Sequence, residues 1–183
     1  TGTGKTAAFA LPILHKILAA KKDSASNSGS PVKALVLAPT RELAQQIHSS
    51  FEKYAVHTDL TIGLAYGGAS LSVQITALKQ GVDVLIATPG RLIDLLFKGS
   101  TSLDSLECLV FDEADRMLDM GFEDVLDTIV KQVPGKRQTL LFSATFTPEI
   151  QAIARRMMIR PTTVEVASTH SQDTIAQYFY RVE

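Results

Sequence analysis

LVFDEAD, Leu109 to Asp115, decides how this chain folds. Past Glu107, the run LECLVF (106–111) narrows to CLVF (108–111), which offers no polar face to solvent, so as a strand it is buried on both sides, the habit of parallel sheets. It ends abruptly in Asp112 and Glu113. The carboxyl ends of parallel strands are where a doubly wound sheet gathers its ligands. A carboxylate there is placed to hold the coordination shell of a magnesium ion while the next acid orients or deprotonates water. The same letters also read as a plain helix start, because acids favour the positive end of the helix dipole. The two readings are compatible.

Working outward, ALVLA (34–38), LTIGLAY (60–66), VDVLIA (82–87), QTLLF (138–142) and TTVEV (162–166) read as further strands. Amphipathic helices lie between them: Leu43, Ile47, Phe51 and Tyr54 form one stripe, and Val125, Leu126, Ile129 and Val133 another. Strands this apolar separated by helices predict an α/β fold, a mostly parallel sheet covered by helices on both faces. Thr88 before Pro89 and Thr147 before Pro148 each predict a side-chain cap ahead of a proline in the first helical position. KKDSASNSGSP (21–31) is the polar, low-complexity stretch and reads as a surface loop.

The 183 residues, 45% of them apolar, suffice for one domain with one core. With 18 basic and 19 acidic residues the formal charge is -1, so no global field recruits nucleic acid, and any such binding must rely on local groups. The single cysteine, Cys108, excludes an intrachain disulfide, favours a reducing compartment and reads as a small core residue. No run reaches the roughly 20 apolar residues that span a bilayer, and no membrane partner is expected.

At the other end, TGTGKT (Thr1 to Thr6) supplies the second half of a phosphate-binding loop. In that pattern glycines let backbone N–H groups converge on phosphate oxygens at a helix N-terminus, a lysine reaches the outer phosphates, and a hydroxyl holds magnesium. Gly4, Lys5 and Thr6 fit those places, and Gly2 adds a flexible position. A GKT before a helix also occurs by chance. The strand that such a loop follows, and the loop's first small residue, would lie upstream of Thr1.

Five short motifs then stand in order: PTREL (Pro39 to Leu43), Gly67-Gly68, TPGR (Thr88 to Arg91), DEAD (Asp112 to Asp115) and SAT (Ser143 to Thr145). In them the chain resembles the DEAD-box ATP-dependent RNA helicases, nearly end to end. The resemblance implies a RecA-like P-loop domain that binds ATP and Mg²⁺. Thr1, Gly2, Thr3, Gly4, Lys5 and Thr6 would hold the nucleotide, with Thr6 and Asp112 serving the metal, Asp112 directly or through water. Lys5, Asp112 and Glu113 would be catalytic, Glu113 activating the attacking water. Asp115, Ser143, Ala144 and Thr145 would couple hydrolysis to domain movement; the plainer view, that SAT caps the helix near Pro148, is weaker because Thr147 is better placed.

RNA would meet Pro39, Thr40 and Arg41, then Gly67 and Gly68, then Thr88, Pro89, Gly90 and Arg91. Thr40 and Thr88 precede helices whose unpaired N–H groups suit phosphates, and the glycine pair permits close backbone approach. Such a surface reads backbone rather than sequence and needs no basic patch. Outside the resemblance, the same residues read as turn glycines, helix caps and a surface arginine.

The resemblance also implies an N-terminal helicase ATP-binding domain over residues 1–172, lacking its first strand and upstream adenine-recognition segment. Residues 173–183 would begin a linker to a second RecA-like domain, the chain's expected partner besides RNA. The chain is expected to be monomeric and cytoplasmic, or nuclear or nucleolar in a eukaryote, and nearly inactive alone, since loss of an arginine finger costs on the order of a thousandfold. The alternatives are a P-loop ATPase or helicase acting on DNA, and an RNA-clamping scaffold with a vestigial ATPase. Arg155, Arg156 and Arg160 read as a solvated helix end. The four histidines lack metal spacing, and Met117, Met120, Met157 and Met158 read as core or domain-contact surface.

Overall fold

In the computed structural model, residues 4–22 and 31–165 are described. Five parallel strands among them make one sheet: β1 (Ala34–Leu37), β2 (Ile62–Ala65), β3 (Val84–Ala87), β4 (Cys108–Phe111) and β5 (Gln138–Leu141), in the order β2-β3-β1-β4-β5. Every pairing is parallel, so the sheet expected to be mostly parallel is wholly so among the described residues. Register is in step across the centre, with Leu35 beside both Leu85 and Leu109. The side-chain period of two therefore sends whole rows to one face.

One row, Ala34, Val36, Val84, Ile86, Cys108 and Val110, packs with Phe9, Ile13, Ile47 and Phe51 of α1 (Lys5–Lys22) and α2 (Arg41–Ala55). The other, Leu35, Leu37, Leu85, Ala87, Leu109 and Phe111, packs with α4 (Pro89–Phe97), α5 (Ala114–Asp119), α6 (Glu123–Val130) and α7 (Pro148–Met157). The helix α3 (Leu71–Lys79) lends Leu71, Ile75 and Leu78 to this second core. Phe9 anchors the first, its ring centroid 6.1 Å from Phe51 and 5.3 Å from Phe142. Fully burying a side chain of that size contributes roughly 1.5–3 kcal/mol.

Parallel strands need crossovers, and each crossover returns the chain to the same sheet edge. Residues following β1, β2, β3, β4 and β5 therefore all emerge there. Backbone pairing continues one step past the strands: Ala38 N–H donates to Ala87 O at 3.0 Å, Asp112 N–H to Leu37 O at 3.0 Å, and Phe142 N–H to Phe111 O at 2.8 Å. This stiffens the floor beneath Pro39, Asp112 and Ser143.

Several sequence expectations are corrected. Residues 162–165 form no strand, and residue 166 and the stretch 167–183, including the expected linker, lie outside the described residues. Val164 is 83% exposed, Arg160 before Pro161 is left-handed (φ +47), and among the described residues only β4 pairs with β5. Apolar alternation makes a strand only where a neighbouring edge accepts it. Tyr54 is exposed, its place on the α2 stripe taken by Ala44 and Ala55. Thr147 caps α7, accepting from Ile150 N–H at 3.4 Å, whereas Thr88 makes no such bond despite its N-cap position. The predicted loop at 21–31 has Lys21 and Lys22 in α1, and residues 23–30 fall outside the described stretch.

Candidate nucleotide and nucleic-acid site

Of the six residues expected to hold a nucleotide, Thr1, Gly2 and Thr3 lie outside the described residues. Gly4 is left-handed (φ +71), a conformation a Cβ would strain, and its carbonyl accepts Ala8 N–H at 3.0 Å to open α1. Lys5 and Thr6 thus occupy the first turn of an 18-residue helix, where unpaired N–H groups and the dipole favour anions. Lys5 is exposed and near enough to Asp112 to favour its ionised form.

Asp112 stands at the end of β4, 6% exposed. Burial pushes its carboxyl above the ordinary Asp range, the neighbouring Glu113 adds to this, and a hydrogen bond from Glu113 N–H (3.1 Å) with Lys5 opposes it. A buried carboxylate of this kind suits a hard divalent cation. No cluster of three His, Cys, Asp or Glu capable of holding a metal occurs among the described residues. Oxygen donors such as the Asp112 carboxylate and the Thr6 hydroxyl on the first turn of α1 are of the type magnesium takes, one or two carboxylates completed by waters and substrate phosphates.

Glu113 carries the outlying backbone of the site, φ +52 and ψ +54, as N-cap of α5. A non-glycine residue in the left-handed region costs energy and persists where the surroundings fix it, a pattern that clusters at functional positions. Its carboxylate accepts Arg116 Nη1–H at 3.4 Å.

Asp115 joins two motifs 28 or more residues apart in sequence. Its Oδ2 accepts Ala144 N–H (3.1 Å), Thr145 N–H (3.1 Å) and Thr145 Oγ1–H (3.2 Å), while Oδ1 accepts Arg116 N–H. Partial burial raises its carboxyl, but these donors outweigh that and hold it below the ordinary Asp range. Ser143 Oγ is buried without a protein partner.

Beside this lies a cleft of about 580 Å³ that gathers the remaining motifs: Pro39, Thr40, Arg41, Gly67, Thr88, Gly90 and Arg91 all line it. Thr40 caps α2, accepting Leu43 N–H at 3.3 Å. Gly68 is left-handed (φ +84), with Arg41 Nη1 3.7 Å from where a Cβ would stand. Pro89 is buried at the start of α4. Arg41 is exposed and pairs with Glu42 at 3.1 Å.

Arg91, expected from the resemblance to face RNA, lines the cleft but is not the surface arginine of the plainer reading. Its side chain is 10% exposed and turned inward, Nη1 and Nη2 donating to Ala69 O (3.2 and 3.1 Å) and Nη1 to Gln74 Oε1 (3.0 Å). Gln74, unnoticed in the sequence, is 8% exposed. A polar residue at a helix position otherwise facing the core, beside Leu71, Ile75 and Leu78, was the available signal. Met120 and Phe122 were also missed as cleft-lining groups. They flank Gly121 (φ +75) where α5 ends in a Schellman turn, Phe122 N–H donating to Met117 O and Gly121 N–H to Leu118 O.

The remaining candidates are structural. Arg156 pairs with Glu123 (2.7 Å) and Asp127 (3.5 Å) on the surface, and Met117 and Met157 are core.

Comparison with known proteins agrees with this geometry. The family model for the DEAD/DEAH box helicase matches residues 1–153. The chain is 44% identical, over its whole length, to the ATP-dependent RNA helicase CshA of Listeria monocytogenes, of which it covers 34%. It is 48% identical over 166 residues to the DEAD-box ATP-dependent RNA helicase 52A of Oryza sativa subsp. japonica, covering 84% of this chain and 28% of the relative. Among solved structures, the yeast DEAD-box splicing factor Prp28 superposes with a TM-score of 0.78 at 40% identity, over 92% of this chain and 41% of that one. The chain thus spans about a third of the curated relatives it matches, and its architecture is the RecA-like α/β fold.

Proposed function

The chain belongs to the DEAD/DEAH box helicase family, and from that premise we propose that it is the N-terminal RecA-like domain of an ATP-dependent RNA helicase, coupling ATP binding and hydrolysis to RNA binding and local duplex separation or ribonucleoprotein remodelling. The carrying observation is Asp115, one of whose two carboxylate oxygens holds three donors of the Ala144-Thr145 segment. It ties the strand end bearing Asp112 and Glu113 to the next strand end along the same sheet edge.

In this reading the ATP phosphates lie at the N-terminus of α1, with Lys5 neutralising the outer ones. Thr6 and Asp112 would hold Mg²⁺, which when bound supplies charge neutralisation of the phosphates. Glu113 takes the proton of the attacking water, its backbone fixing where the carboxylate enters. RNA phosphates meet the N-termini of α2 and α4, where Thr40, Gly90 and the Gly67-Gly68 turn present backbone donors and Arg41 adds charge. A second RecA-like domain of the parent protein would close over both ligands, and the Asp115 bridge would pass the state of the nucleotide to it.

The test is ATP turnover by the full-length protein with single-stranded RNA, with single-stranded DNA and with neither. Stimulation by RNA alone, abolished in Glu113→Gln with ATP binding retained, is the expected result. Equal stimulation by DNA would favour a DNA-directed ATPase, and RNA binding indifferent to Glu113→Gln without turnover would favour a clamp.

A further inference from the structure

The five residues Tyr66 to Ser70 that follow β2 carry Gly67 and Gly68, and two buried side chains hold their carbonyls. Gln74 Nε2–H donates to Tyr66 O at 3.1 Å. Arg91 donates to Ala69 O through both terminal nitrogens and to Gln74 Oε1 through one. Gln74 thus acts as a bridge, accepting from Arg91 with its oxygen and giving its amide proton to the turn. A fork with two parallel N–H groups suits this task as a lysine would not.

The consequence for the cleft follows from peptide geometry. No peptide bond among the described residues is cis, and in a trans peptide the C=O and the next N–H point in opposite directions. Drawing Tyr66 C=O inward to Gln74 therefore turns Gly67 N–H outward, and Gly67 lines the cleft. The guanidinium of Arg91, meanwhile, is committed to the protein, its Nε buried without a hydrogen-bond partner and 3.9 Å from Asp94.

We propose that Gln74 is a positioning residue for nucleic-acid backbone binding: with Arg91 it fixes the Tyr66 to Ser70 turn so that backbone N–H groups face a phosphate, and Arg91 acts through that turn rather than on the phosphate itself. The proposal rests on the reading of the cleft as the RNA site. It separates the two arginines expected there, Arg41 being the charge that meets phosphate and Arg91 part of the frame.

Salt dependence distinguishes the roles, because each phosphate neutralised by a side chain on a single strand steepens the slope of log affinity against log salt by about 0.7. Binding of a fluorescein-labelled single-stranded oligouridylate to the full-length protein, with a non-hydrolysable ATP analogue, is measured across a salt series. Arg41→Met flattens the slope by about that amount. Gln74→Met and Arg91→Met each weaken binding by about tenfold, the loss of one charged hydrogen bond. Both leave the slope unchanged, and the double variant is no worse than either alone. Affinity for the ATP analogue without RNA reports on folding. Should Gln74→Met lose it, Gln74→Glu gives the same reading, since a carboxylate still accepts from Arg91 but has no proton for Tyr66 O. A flattened slope in Arg91→Met, or wild-type affinity in the Gln74 variants, overturns the proposal. Failure of the wild-type protein to bind the oligouridylate at any salt overturns the RNA reading, and the proposal with it.

Discussion

Asp115 Oδ2 and Thr145 meet twice, through the backbone N–H at 3.1 Å and the hydroxyl at 3.2 Å, so one carboxylate oxygen clasps both ends of a threonine. Asp115 lies on the first turn of α5 and Thr145 beyond the end of β5, so the contact spans neighbouring strand ends rather than one loop. The other oxygen is engaged by Arg116 N–H.

Replacing Asp115 with Asn tests that division of labour. An amide has one oxygen, so it can serve the Ala144-Thr145 donors or Arg116 N–H, not both. The expected result is ATP affinity near wild type with RNA-stimulated turnover and duplex separation lowered about tenfold or more, on the scale of a lost hydrogen bond to a charged group. Unaltered turnover would show the bridge to be incidental. Because the donors hold the Asp115 carboxyl below 3.8, its stabilising effect is complete above the ordinary Asp range and fades as pH falls through its lowered value. No change between pH 5 and 8 is expected from this group.

Thr40→Ala removes two things at once. The hydroxyl caps α2 at Leu43 N–H, a contribution of about 1 kcal/mol, and Thr40 lines the cleft. Thermal melting is expected to drop by about 2–4 °C for a domain of this size, with weaker RNA binding. Thr88→Ala, where no cap bond exists, should weaken RNA binding with little change in melting. Equal melting losses for the two would mean that the Thr40 cap contributes nothing particular.

How much of this was legible in the letters depends on whether a residue's neighbours are local. The five strands, the helices between them and the gathering of Asp112, Ser143 and Thr40 on one edge follow from apolar runs and from parallel topology, which leaves strand ends together. Thr147 as a cap was readable because its partner lies three residues away. Arg91 and Tyr54 were not, because whether a side chain meets solvent or a partner 17 residues distant is a tertiary fact; TPGR looks the same either way. TTVEV failed for the complementary reason, since a strand requires an edge to accept it. Glu113's left-handed backbone has no sequence signal of its own, glutamate being rare there.

Asp112→Asn is expected to raise stability while abolishing hydrolysis. Burial, more than its acidic neighbour, lifts this carboxyl above its usual range, so its charged form is less favourable in the folded chain than in the unfolded one. An amide removes that cost and keeps the oxygen that accepts Glu113 N–H. A higher melting temperature without nucleotide is the predicted outcome. A lower melting temperature would show that the Lys5 interaction outweighs burial.

Cys108 supplies an alkaline counterpart. Its thiol is 5% exposed on the first strand position of β4, and desolvation, with Lys16 opposing and Glu107 assisting, raises it from 9.0 to about 11. A group whose folded value is raised stabilises fully below its unfolded value, and that contribution is lost as pH rises through the folded one. Between pH 9 and 11 the unfolded chain therefore loses a proton that the native chain keeps, a difference of about 2–3 kcal/mol against the fold by pH 11. Denaturant unfolding of wild type and Cys108→Ala at pH 8, 9, 10 and 11 reads this directly. The two stability curves should converge as pH rises, because alanine has no proton to lose, and the native thiol should resist iodoacetamide at pH 8 while the unfolded chain reacts. Parallel curves across that range would mean that the thiol titrates alike in both states and that its burial in the sheet does not govern its chemistry.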